Sequence, residues 1–68
     1  MTYSETEDRI EQLMSDGPSG FTKAHYEECR ELYQELELEN NYETIDNTNR
    51  AIGDWYRSGS LNFVPEPY

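Results

Sequence analysis

Between Glu27 and Glu39 the chain places six carboxylates (Glu27, Glu28, Glu31, Glu35, Glu37 and Glu39) against one cation, Arg30. Four of these, Glu27, Glu31, Glu35 and Glu39, recur every fourth residue, so on a helix they stack as a ladder along one side. A rise of about 1.5 Å per residue sets neighbouring rungs about 6 Å apart and gives the whole segment one negative charge per ~3 Å of axis. One strand of B-form DNA carries a phosphate about every 3.4 Å. That similarity in linear charge density is the physical ground for expecting a surface that imitates nucleic acid. The ladder also opposes folding. Like charges at i,i+4 destabilise a helix by ~0.2–0.5 kcal/mol per pair, which for this run comes to about 1 kcal/mol. The plainer alternative is a solvated face, because Glu is a good helix former.

Other chemistry falls short of what it needs. His25 and Cys29 share a helix face at i,i+4, but zinc sites use about four ligands and the chain has no second pair. A Cys–His nucleophilic pair needs an orienting group and a pocket, which short helices rarely supply. The stretch from Asp46 to Arg50 resembles the start of a calcium loop in composition alone, and Ala51 stands where that loop needs Gly and Arg57 where it needs Glu. Carboxylate pairs are abundant, but general acid–base catalysis needs an apolar enclosure that drives their pKa values apart. No glycine-rich phosphate loop is present. These readings predict a non-enzymatic protein without metal or cofactor.

Three helices and a tail are the elements available to position the ladder. The first is expected over 4–15: Ser4 as N-cap, Glu7 completing an S-x-x-E capping box, and Tyr3, Thr6, Ile10, Leu13 and Met14 as its apolar stripe. Asp16-Gly17-Pro18-Ser19-Gly20 then stops it. The second, over 22–39, starts at Thr22 and repeats Tyr26, Cys29, Leu32, Tyr33 and Leu36 at helical spacing. Asn40-Asn41 breaks it. The third, over 42–57, aligns Tyr42, Ile45, Asn49, Ile52, Trp55 and Tyr56, with weak helix formers around Asn47 that favour a kink there. Residues 58–68 form an extended tail, held open by Pro65 and Pro67. The expected fold is all-α: one small three-helix domain with an extended C-terminal tail, its core anchored by Trp55-Tyr56 and closed by Phe63 and Tyr68.

Composition narrows the class further. Sixty-eight residues make one domain at most, and 34% hydrophobic content leaves a thin core. Fifteen Asp and Glu against five Lys and Arg give a net charge of −10, which disfavours direct binding to nucleic acid or to anionic membranes. A single cysteine permits no internal disulfide, and the first five residues have neither the basic nor the apolar region of a signal peptide, so a cytoplasmic protein is expected. In size, acidity and lack of a catalytic motif the chain resembles small accessory proteins of bacteriophages, some of which imitate nucleic acid to block host defence or transcription. That resemblance is one of composition and carries over no residues; for a phage product it implies the host cytoplasm. The expected function is occupation of a basic, nucleic-acid-binding groove on a larger protein, through Glu27, Glu28, Glu31, Glu35, Glu37 and Glu39. The alternative is a small structural or adaptor subunit that binds through Tyr33, Trp55 or Phe63, because aromatic anchors usually dominate interfaces. Self-association is compatible with either.

Overall fold

The computed structural model describes residues 3–65, and side chains from residue 5 onward. The order is α1 (Tyr3–Met14), a 3₁₀ turn (Pro18–Gly20), α2 (Lys23–Leu38) and α3 (Tyr42–Arg57). The described residues are therefore all-α with three α-helices, as the periodicity predicts. The parts of the predicted first helix and tail that rest on the side chains of Tyr3 and Ser4, or on Glu66, Pro67 and Tyr68, lie outside the described residues.

Helix α2 is the spine. Its buried stripe is Tyr26, Cys29, Leu32, Tyr33 and Leu36. It receives Thr6, Ile10 and Leu13 from α1 on one side and Ile45, Thr48 and Ile52 from α3 on the other. Helix α3 runs unbroken through Asn47, because burial of Ile45, Thr48 and Ile52 on one face outweighs the low local helix propensity. Its two outer aromatic positions behave otherwise than the spacing implies: Tyr42 and Tyr56 are exposed.

The junctions are tightly specified. At the end of α2, Asn41 N donates to Leu36 O (2.8 Å) and Asn40 N to Glu37 O (3.0 Å), a Schellman closure with Asn40 at φ 58°. Asn41 then serves as N-cap of α3, accepting from Thr44 N at 3.3 Å. The end of α3 repeats the device, with Ser60 N bonded to Trp55 O (2.9 Å) and Gly59 at φ 77°, where a Cβ would be strained.

The Ser4 half of the predicted capping box lies outside the described side chains, and its Glu7 half is engaged elsewhere. Helix α1 begins before Ser4, and the carboxylate of Glu7 reaches α3 instead. There Glu7 Oε1 accepts from Thr44 Oγ1 (2.9 Å) and Asn41 Nδ2 (3.4 Å). One carboxylate thus ties the first helix to the cap of the third.

The loop residue Phe21, 1% exposed, sits at the centre of an aromatic cluster. Trp55 meets it edge-on at 5.5 Å and Phe63 lies 6.1 Å away, while Phe63 is also 5.6 Å from Tyr26. Through Leu61 and Phe63 the described part of the tail folds back on the core. Trp55 therefore anchors the core through the loop, and Tyr56 takes no part.

Candidate functional site: the acidic face of α2

Helix α2 starts at a well-made cap, where Thr22 Oγ1 accepts from His25 N at 3.2 Å. It continues for 16 residues without interruption, which is what keeps the carboxylates in register. Its buried stripe faces α1 and α3, so Glu27, Glu31 and Glu35 emerge on the outer edge, all exposed. They border a shallow depression open to solvent, with Ala24 and Leu32 in its lining.

The six sequence-predicted carboxylates separate into different environments. Glu27 and Glu31 are exposed. Glu35, also exposed, accepts from Thr6 Oγ1 of α1 at 3.2 Å. Glu28 is half-buried and pairs with Arg9 of α1, Nη2 to Oε1 at 3.1 Å and Nε to Oε2 at 2.5 Å. Hydrogen bonding from Arg9 holds the Glu28 carboxyl below the usual carboxylate range, against the opposing effect of desolvation. Glu37 is half-buried, and Glu39 is the exposed C-cap residue, one position beyond the helix. The outer edge thus bears a charge about every 6 Å, close to the axial spacing of every second phosphate on one DNA strand. Arg30 is held on Tyr26, its Nη1 donating to the phenol oxygen at 3.0 Å and its guanidinium lying 5.7 Å from the ring centre.

The three alternative binding residues are used inside the fold. Tyr33 is 0% exposed and donates its hydroxyl to Asn49 Oδ1 at 3.0 Å. Trp55 and Phe63 are half-buried in the aromatic cluster. Among the described residues, the large apolar side chains that face solvent are Leu38, Tyr42, Tyr56 and Val64. Leu38 carries a legible signal, since it falls two residues past Leu36 and off the buried stripe. Tyr42 carries none, because it fits the apolar spacing of α3.

Neither His25 nor Cys29 is set up for chemistry with the other. The ring of His25 lies 6.1 Å from Phe21, and its Nδ1 has no hydrogen-bond partner. Burial pushes the Cys29 thiol up to about 12, away from the thiolate that a nucleophile or metal ligand requires. No group of three or more His, Cys, Asp or Glu able to hold a metal ion occurs among the described residues, and none of their helices is long and apolar enough to cross a membrane. No protein-family model, curated protein or solved structure matches this chain.

Proposed function

We propose that this is a non-enzymatic acidic binding protein whose α2 face occupies a basic, nucleic-acid-binding groove on a larger partner and inhibits it by competition, in the manner of a DNA mimic. The observation that carries this reading is the exposed row Glu27, Glu31 and Glu35, held in register on one unbroken helix of a chain with net charge −10. Fixed charges on a preformed helix attract a basic groove at long range and lose little conformational freedom on docking. A phage-encoded inhibitor of host defence or transcription, acting in the host cytoplasm, is the setting that fits such a protein. The adaptor reading is the weaker one, because Tyr33, Trp55 and Phe63 already serve the fold.

The test begins with capture of the partner on the immobilised protein, followed by competition between the protein and labelled nucleic acid for that partner. The variant is Glu27→Lys with Glu31→Lys, which changes the edge by four charges and leaves the Glu35–Thr6 contact in place. It is expected to weaken binding at least tenfold, about 1.4 kcal/mol, and to stop displacing nucleic acid. A folded double variant that competes as well as wild type would overturn the proposal.

A further inference from the structure

A chain with so little apolar material leaves one of its five leucines, Leu38, 83% exposed, and four residues later leaves Tyr42 54% exposed. Single exposed apolar residues are ordinary, but these two stand on either side of one turn. With consecutive Cα atoms about 3.8 Å apart, they lie within ~15 Å of each other, inside the footprint of one interface.

The turn that presents them is unusually well fixed. It combines the Schellman closure at Asn40, the N-cap by Asn41 and the reach of Glu7 from α1 to both Asn41 and Thr44. All three helices therefore meet at this corner, and the apolar pair is preorganised rather than carried on a mobile loop. The charge along the chain here has one sign. From Glu31 to Asn49 the sequence contains no Lys, Arg or His, and Glu39 and Glu43 flank the pair in exposed positions.

We infer that the Leu38–Tyr42 corner is an apolar anchor for a basic amphipathic segment of a partner, one that meets the corner with apolar side chains and flanks it with Lys or Arg. The charge pattern selects this occupant. A second copy of the chain would bring two net charges of −10 together and set Glu39 and Glu43 against their equivalents. An acidic or neutral segment would bury the pair without relieving the surrounding field. The inference rests on the proposed binding to a basic partner and adds to it: the acidic edge of α2 sets attraction and approach, while the corner supplies desolvated contact that slows dissociation.

The probes are two synthetic 14-residue peptides of equal positive charge, one a Lys/Leu amphipathic helix and the other with every Leu replaced by Ser. Each is titrated against the full-length protein, with affinity read by fluorescence anisotropy and location by ¹H–¹⁵N chemical-shift mapping. The variants are Leu38→Ser with Tyr42→Ser, which leave the charge unchanged, and Tyr56→Ser as an exposed aromatic control elsewhere on α3. Wild type is expected to bind the Lys/Leu peptide at least tenfold more tightly than the Lys/Ser peptide, with the largest shifts from Leu38 to Glu43. The double variant is expected to reduce that preference to less than twofold while keeping its affinity for the Lys/Ser peptide, and Tyr56→Ser is expected to preserve it. Equal binding of both peptides by wild type overturns the anchor and leaves the acidic-face proposal standing. So does a preference that survives in the double variant or maps elsewhere. Binding of neither peptide overturns both.

Discussion

Cys29 gives the fold a specific weakness at alkaline pH. The side chain is 0% exposed, and burial moves its thiol from an ordinary 9.0 up to about 12. A raised pKa means that the native state favours the protonated thiol, so its contribution is complete below about pH 9 and declines as pH rises towards about 12. The slope is about 1.4 kcal/mol per pH unit, with a ceiling of about 4 kcal/mol across the window. Replacing Cys29 by Ala removes the titration at the expense of a small cavity of about 1 kcal/mol. The variant should therefore be the less stable protein at pH 7. By about pH 10 wild type has lost ~1.4 kcal/mol to the thiol alone, so the two stability curves should meet near there and cross above it. Urea unfolding under reducing conditions, followed by far-ultraviolet circular dichroism at half-unit steps from pH 7 to 10.5, reads the crossing directly. Tyr33 is shifted upward as well, chiefly by burial, which is common to both proteins, and next by the neighbouring Cys29 charge, which adds to the wild-type loss at high pH. A constant offset between the two curves over the whole range would refute the reasoning.

Further outcomes follow from the packing and the charge. Phe21→Ala should cost ~3–5 kcal/mol by emptying the centre of the aromatic cluster; with a total stability of about 3–10 kcal/mol for this length, much of the helical circular dichroism signal should be lost at 37 °C. Raising salt from about 0.01 to 0.3 M shortens the screening length from roughly 30 Å to below 10 Å and should raise Tm, since same-sign repulsion opposes the fold. Arg9→Gln should lower stability at neutral pH, and its deficit should shrink as pH falls through the carboxylate range. The Glu28 carboxyl that Arg9 holds down contributes only while it is ionised, as a pH series of urea midpoints will show.

The helices were legible because each has a buried stripe at helical spacing, and α2 has the clearest one. What the periodicity did not carry lies between the helices or in competing partners. Phe21 belongs to no stripe, and its burial follows from three separate segments converging on it: Tyr26 of α2, Trp55 of α3 and Phe63 of the tail. Glu7 reads locally as half of a capping box, yet Asn41 and Thr44, more than thirty residues away, take its carboxylate. Asn49 looks like a poor choice for a helix interior until Tyr33 is placed opposite it as a hydrogen-bond donor. For the candidate site, spacing alone set the ladder on one edge. It could not reveal that Arg9 and Thr6, from another helix, would engage the flanking Glu28 and the rung Glu35.

That division among the carboxylates has a consequence for any test of the acidic face. Glu7, Glu28 and Glu35 each have a polar partner on another helix or at its cap, whereas Glu27 and Glu31 are exposed on the outer edge. Charges that hold the bundle and charges that project outward are therefore different residues, and stability and binding should respond to them separately. Glu31→Lys should lower stability by no more than ~0.5 kcal/mol, the usual bound for a surface substitution. It replaces two repulsive i,i+4 pairs, with Glu27 and with Glu35, by attractive ones. Glu35→Lys should cost about 1 kcal/mol or more, because it removes one hydrogen bond to a residue that is 1% exposed and places a cation at the α1–α2 seam. Both substitutions change the net charge by the same two units, so a pure long-range field would make them equivalent in stability. Urea midpoints that fall equally for the two variants would show that the Thr6–Glu35 contact does not contribute. A larger fall for Glu35→Lys alone would make Glu27 and Glu31 the appropriate pair for reading binding without disturbing the fold.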